Sequence, residues 1–448
     1  MTQLQSVRQW IFVVFQDIGT LVLLALAFPF NCTVVLGAWL WSFFNRLFNK
    51  QKVITQNPKT ILIGGARMTK CLSLARSFHA AGHRVILVDI FKFWSSGNQF
   101  SNAVAGFYTV PDPKENFEGY AQAMRELAKV EAVDFFVAVA MFAVGNYDND
   151  KHVLSGCCEI FHFDADITNM LDDKFAFSET ARELSLSVPK SFKITATEQV
   201  LNFDFTHEER KYILKSIPYD QVRRLDLTKL PCGTVEETAA YVESLPISSS
   251  RPWIMQEFIP GQEYCTHSTV RNGELRLHCC CESSAFQVNY EAVDKPEITE
   301  WVAHFVKELK LTGQISFDFI QASDGVVYAI ECNPRTHSAI TMFYNHPGVA
   351  DAYLDDEPLS EPLQPLPDSK PTYWLYHEIW RLNEVRSLGQ LRTWVNRILG
   401  GKEAIFAVDD PLPFLMVHHW QIPLLLLESL RKLKGWVRID FNMGELID

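Results

Sequence analysis

At 448 residues the chain is long enough for about three domains. Its net charge of −12 comes without any basic stripe, which argues against nucleic acid as a partner, because nothing stands out to neutralise phosphates. Ten cysteines include no Cys-x-x-Cys pair, which disfavours a zinc or redox framework and fits small buried thiols in a reducing compartment.

The first unusual stretch is residues 10–45. Ile18 to Phe44 carries no charge, enough for a membrane span of about 20 residues. Pro29 and Asn31 divide it into two arms of about a dozen residues, each short for crossing a bilayer. Arg8 precedes it and Arg46, Lys50 and Lys52 follow, which places both ends in the cytoplasm. The sequence therefore predicts a hairpin dipping into one leaflet, with the protein cytoplasmic and held to the inner face of a membrane. A single kinked transmembrane helix is one alternative, and a helical pair buried in the protein's own core is the other. A secretory signal peptide is disfavoured, since no small-residue cleavage site is evident.

From Thr60 the pattern becomes strand, glycine turn, helix, strand: Ile61 to Gly65, Cys71 to Ala81, then Val85 to Asp89, with a further strand at Phe135 to Val139. That is an open parallel α/β unit whose ligand crevice lies beyond the strand ends. Gly64 to Lys70 has the wrong glycine spacing for a dinucleotide fingerprint or a P-loop. Arg67 and Lys70 are candidates to contact a small-molecule substrate here, the alternative being that they solvate the helix start.

Further on, Lys174 follows Asp172 and Asp173, and Lys215 closes the apolar strand Tyr212 to Leu214. For each, a solvated lysine is the plainer reading. Trp253 to Glu263 is an apolar strand that breaks at Pro260-Gly261 and resumes with Glu263. Such a break offers a nucleotide base an apolar slot and unpaired backbone groups, with a carboxylate nearby for ribose hydroxyls. An edge strand followed by a turn would look the same.

The most specific pattern is a β-hairpin turning at Asp324-Gly325. Counting outward from a two-residue loop pairs Asp318 with Glu331 and sets Asn333 on the same face. Like charges directly opposite repel unless a cation lies between them, and Mg²⁺ takes oxygen ligands from one or two carboxylates plus substrate phosphates. Arg335 supplies a forked donor for a phosphate oxygen. A solvated acidic face is the alternative. Past Asp356, the proline-rich tract Pro358 to Pro367 reads as a linker to a C-terminal unit rich in Trp and Leu.

As an ordered set, these segments resemble the ATP-grasp ligases over roughly residues 160–350. The resemblance implies an α/β protein, α+β in its ATP-grasp part. It divides the chain into an apolar segment (1–52), a Rossmann-like domain (53–160), the ATP-grasp domain (161–355) and a C-terminal extension (356–448). It implies ATP with Mg²⁺, or Mn²⁺ in its place. Lys174, Lys215, Gln256, Glu257, Phe258, Ile259 and Glu263 would bind the nucleotide, and Asp318, Glu331 and Asn333 the metal. Arg335 and His337 would act on the reacting groups, with Ser338 facing the acceptor. One departure concerns the glycine-rich lid, for here Ser216 to Arg224 would close through Arg223 and Arg224. The runs Phe161 to Thr168, Glu331 to Ser338 and Lys434 to Phe441 are similar to one branch, the cyanobacterial ligases that join deoxygadusol to glycine. That implies a small-molecule acceptor and an amino acid as partners. Phe91, Asn98, Gln99 and the run Ala138 to Phe142 look more apolar than a polyhydroxylated ring requires, so a relative with a more apolar carboxylate acceptor is the alternative, and a non-catalytic ATP-binding membrane protein a third.

Overall fold

The computed structural model describes residues 3–48, 55–139, 153–218, 220, 223, 226–283 and 289–447. Lys50, Lys52, Arg224 and the run 140–142 lie outside them.

Helix α1 runs unbroken from Gln3–Phe48. The hairpin expected from Pro29 and Asn31 does not form. A proline inside a helix costs about 3 kcal/mol, and tertiary bonds at the same turn offset it. Asn31 Nδ2 donates to Tyr376 Oη and lies 2.7 Å from His419 Nε2. Asp17, one of the few polar residues of the helix, accepts from Ser429 Oγ at 3.1 Å and from Trp436 Nε1 at 2.5 Å.

The α/β unit follows. Strands β1 (Thr60–Gly64), β2 (Arg84–Ile90), β3 (Gly106–Val110), β4 (Phe135–Ala138) and β5 (Glu159–Ile160) form one parallel sheet in the order β3-β2-β1-β4-β5. Apolar runs such as Ile61-Leu62-Ile63 point to both faces, as parallel strands covered on both sides require. Helix α2 (Thr69–Ala80) covers one face through Leu72, Ala75 and Phe78, and α3 (Phe117–Val130) covers the other through Tyr120 and Met124. The order reverses at β1, so the crevice opens beyond β1 and β4, where Gly65 turns the chain at φ +89° into Arg67 and Lys70.

Next come helices α4 (Ala165–Asp172) and α5 (Lys174–Glu183) and a small antiparallel sheet of β6 (Ser191–Ile194), β8 (Trp253–Glu257) and β7 (Tyr212–Ser216), with β8 central and α6 (Val235–Glu243) between β7 and β8 in the chain. A larger antiparallel sheet has the order β12-β10-β9-β13-β14, built from β9 (Gly261–Arg271), β10 (Glu274–Glu282), β12 (Ala292–Val293), β13 (Gly313–Ala322) and β14 (Val327–Asn333). Alternation along β13 sends Ile315, Phe317 and Phe319 into a core with Phe177 of α5 and with Trp301 and Phe305 of α7 (Pro296–Glu308). Ser316 and Asp318 are left on the opposite face.

The C-terminal part is not a tethered unit. The proline-rich tract is strapped to the large sheet, for Leu363 N donates to Arg276 O and accepts from His278 N at its own carbonyl, at 2.9 and 2.8 Å. Beyond it, β11 (Asn289–Tyr290), β15 (Thr372–Tyr373) and β16 (Lys402–Glu403) make a small sheet, and α8 (Leu375–Arg381), α9 (Leu412–Met416), a π-helical turn (Val417–Gln421) and α10 (Ile422–Lys432) pack toward α1 and the α/β unit. The chain closes with an antiparallel hairpin, β17 (Arg438–Asp440) and β18 (Glu445–Ile447).

Candidate functional site

The hairpin β13–β14 turns differently from the expected two-residue loop. Gly325 N donates to Ala322 O and Ala322 N to Val326 O, both at 2.9 Å, so the loop is Ser323 to Gly325, with Gly325 at φ +86°. That loop shifts the register by one residue. A bulge at Ile330 shifts it back, since Phe319 pairs with Ala329 while Asp318 pairs with Glu331. Bulges commonly re-aim side chains beside functional sites, and here the bulge restores Asp318, Glu331 and Asn333 to one face. Asn333 Nδ2 donates to Asp318 Oδ2 at 3.3 Å, and Arg335 Nη2 to Asn333 Oδ1 at 3.1 Å.

Cations converge on this face from two other elements. Asp173 caps α5 by accepting from Phe175 N and Ala176 N, which fixes Lys174 at the helix start. Lys174 Nζ lies 3.0 Å from Glu331 Oε1. Burial opposes charge on both partners, yet their attraction outweighs it: the Lys174 pKa rises and the Glu331 pKa falls, with Lys215 contributing to the latter. Asp318 goes the other way. Loss of water and then repulsion from Glu331 push its carboxyl up to about 7, against the pull of Arg335 and Lys215. One carboxylate is thus satisfied by protein and the other is left short of cation. Among the described residues no three His, Cys, Asp or Glu side chains gather to hold a metal. Two carboxylates and an amide suit Mg²⁺, which completes its shell with water and phosphate oxygens.

The segment expected to receive a base runs along the central strand of the small sheet. Ile254 and Gln256 pair with Lys215 and Ile213 of β7, so these four share one face of the small sheet. Glu257 N is spent on Lys190 O and Phe258 N on Lys211 O, at 2.8 and 2.7 Å. The amide of Ile259 has no hydrogen-bond acceptor among the described residues. The Glu257 carboxylate is turned to the other face, 3.7 Å from Arg210 Nη1, which leaves only its backbone for a nucleotide. Phe258 has the Lys229 ammonium 3.9 Å from its ring centroid. Glu263 lies opposite Ile320 and adds to the negative field at Asp318. Of the lid, Arg223 pairs with Asp220 of its own turn at 3.3 Å, so it is not engaged with the metal face; Arg224 lies outside the described residues.

At the other end of the same face the large sheet meets the glycine turn of the α/β unit. Lys70 does not solvate the start of α2: it is 1 % exposed, donates to Thr336 O at 2.8 Å, and has no carboxylate within ion-pair distance among the described residues. Burial, then Arg335 and Arg67, depress its pKa strongly. Arg67 is bound to Asp89 at 3.0 Å, with Glu445 at 3.6 Å. His337 is half-buried and caps the turn after it, accepting from Ala339 N at Nδ1. Loss of water, Arg335 and Lys70 push its pKa down to about 3, so it is a neutral imidazole and not a cation for phosphate.

Four residues escape motif reading. Buried polar atoms without a partner lie on Ser316, His267, Thr336 and Asn442, and such atoms are rare in a folded interior unless a ligand or water meets them. Ser316 is hinted at by polar residues alternating with core residues in β13, whereas His267 stands in the polar run Thr266 to Thr269 of β9 and Thr336 lies past the end of β14. Asn442 has no such signal: its Nδ2 donates to Ser338 Oγ at 2.7 Å, and its carbonyl accepts from Thr69 N. The contact needs Gly444 at φ +67°, where a side chain would begin 2.3 Å from Arg67 O.

The α/β unit and the two antiparallel sheets together have the ATP-grasp fold. No protein-family model and no curated protein matches the chain. Solved structures do share the fold. N5-carboxyaminoimidazole synthetase from Staphylococcus aureus, complexed with ADP, superposes with TM-score 0.52 at 15% identity over 71% of this chain and 82% of its own. The Aspergillus clavatus enzyme with ADP and 5-aminoimidazole ribonucleotide gives 0.51 at 15% over 71% and 81%. Biotin carboxylase from Campylobacter jejuni, as a β-γ-ATP complex, gives 0.50 at 15% over 66% and 72%.

Proposed function

We propose that this chain is an ATP-dependent, Mg²⁺-dependent ligase that forms a C–N bond, joining a deoxygadusol-type cyclohexenone acceptor to glycine. The observation that carries the reading is the pairing of Asp318 with Glu331 on one sheet face, with Lys174 at 3.0 Å and Arg335 tied to Asn333. Structures of the same fold hold ADP, alone or with a small-molecule substrate, which supports a nucleotide here. Lys174 and Lys215 would neutralise phosphates; Gln256 to Ile259 would receive the base and Glu263 the ribose. Asp318, Glu331 and Asn333 would hold Mg²⁺, which when bound supplies charge neutralisation to the phosphates.

The γ-phosphoryl group passes to the enolic oxygen of the acceptor and ADP leaves. The glycine amine then attacks the carbon bearing that oxygen, the C–N bond forms as the C–O bond breaks, and inorganic phosphate departs with the electron pair. Arg335, with Arg223 and Arg224 brought in from the lid, would spread the transferred charge. Neutral His337 would orient the acceptor beside Ser338. The test incubates the protein with ATP and a panel of acceptors, each with and without glycine, and measures ADP. ADP formed only with deoxygadusol plus an amine supports the reading. ADP formed with an apolar carboxylate instead favours a carboxylate–amine ligase, and none with any acceptor favours a binding protein.

Lys70 gives a second check. Lys70 Nζ, bonded to Thr336 O and with its pKa depressed by burial, would meet an anionic oxygen of the acceptor, whose charge favours the ammonium form. Lys70→Met keeps the volume and replaces a buried amine whose one bond is to Thr336 O, so stability should change little. The acceptor KM should rise about tenfold to a hundredfold, the scale of a lost charge-assisted hydrogen bond. An unchanged acceptor KM would remove Lys70 from the site.

A further inference from the structure

The geometry of α1 points to a monotopic membrane anchor: we infer that the helix lies in the plane of a bilayer, its outer arc in lipid and its inner stripe fastened to the folded protein. Between Phe12 and Asn45 the buried positions of α1 are Val13, Asp17, Leu24, Asn31, Val35, Ala38 and Ser42. At 100° per residue they fall within a stripe about 60° wide. The helix is inside out, for that stripe holds Asp17, Asn31 and Ser42, whereas the exposed arc holds Phe15, Leu26, Phe30, Trp39 and Trp41. An 18-residue window within Phe12–Asn45 has a mean hydropathy of 2.2, yet only 17% of that window is buried, so this is not the core helix of a soluble body.

Orientation follows from where the stripe is held. Val13 packs at Gly435, Asp17 binds Ser429 and Trp436, Asn31 binds Tyr376, and Val35 belongs to the core cluster that includes Phe414 and Leu425. Val13 to Val35 covers about 33 Å of helix, already the thickness of the roughly 30 Å hydrocarbon layer. A spanning orientation would draw α10 in with it, and α10 carries the exposed Lys432 and its partly exposed partner Glu428, which hydrocarbon would not accept. A helix bound along one side to a water-soluble body can lie on a bilayer but cannot cross it.

Lipid fits the outer face better than a second copy of this chain. The exposed arc extends over about 220° of the helix, more than one packed partner covers, and lipid covers it all. Its edge is continued by exposed indoles, Trp94 packed edge-on to Trp420 at 6.0 Å, the residues that settle at a membrane interface. Lys92, Arg431 and Lys432 act on Glu428 beside them, and a local basic group in a chain of net charge −12 suits anionic headgroups.

The full chain, tagged at its N-terminus, is mixed with preformed vesicles of phosphatidylcholine and phosphatidylglycerol at 7:3 and floated on a density gradient. It should float with the vesicles, and added protease should remove the tag, as both ends stay on the outer side. A variant carrying Phe15→Gln, Leu26→Gln, Phe30→Gln and Trp41→Gln should lose at least about a hundredfold in partitioning while its thermal midpoint holds. A protected tag would mean a spanning helix. Vesicle binding unchanged in the variant, or a wild-type chain that stays in solution as a dimer, would overturn the inference.

Discussion

Asp318→Asn and Glu331→Gln should each lower turnover by at least about a thousandfold, the scale of losing metal-based stabilisation of transferred charge. Their effects on the fold should differ, because the two carboxylates are not equivalent. Asp318 is strained by burial and by Glu331, so the amide relieves repulsion and the thermal midpoint without metal should hold or rise. Glu331 is the partner of Lys174 at 3.0 Å, so its loss leaves that ammonium unpaired, at a cost of about 1 kcal/mol for a partly exposed pair. Melting curves with and without MgADP provide a readout besides turnover: Mg²⁺ should add stability to the wild type and none to either variant. Near-normal turnover in both variants would place the metal elsewhere.

The carboxylate face was legible because three residues on two strands obey a period of two, and its register was right for a reason the sequence concealed. The three-residue loop at Gly325 moves the pairing by one and the bulge at Ile330 moves it back; neither has a composition signal strong enough to see. Lys174 and Lys215 were legible in their order along the chain, but only the cap at Asp173 and the strand pairing of Lys215 with Ile254 turn two ordinary lysines toward one face. Glu257 shows the limit of motif reading. It sits in the expected hinge, and strand alternation sends its carboxylate to Arg210 on the far side.

What stayed hidden depends on segments distant in sequence. Pro29 reads as a break, and the bonds that carry α1 through it come from residues about 350 positions away. Lys70, Thr336 and Asn442 meet only when the C-terminal hairpin lies against the glycine turn, which joins residues from three domains of the expected division. Local propensity has no access to such contacts. The polar atoms left without partners there are the trace that a structure gives and a sequence does not.

The lid should respond as strongly as any part of the site apart from the metal ligands. In this structure Arg223 is held by Asp220, through its guanidinium at 3.3 Å and its backbone amide at 3.1 Å, so reaching a nucleotide requires it to exchange that carboxylate for phosphate oxygens. The exchange gains most where charge shifts among those oxygens in a site closed to water. Replacing Arg223 or Arg224 by Ala should then lower kcat by about tenfold to a thousandfold, the scale of one preorganised donor, with a smaller change in the KM for ATP. Lys at either position should rescue only in part, since an ammonium keeps the charge and loses the planar fork. Asp220→Asn weakens the resting pair and should lower the KM for ATP, an effect that a merely structural turn would not produce. Steady-state kinetics on these five variants separate the outcomes: an unchanged kcat in both alanine variants would show that the segment after Lys215 closes without its arginines.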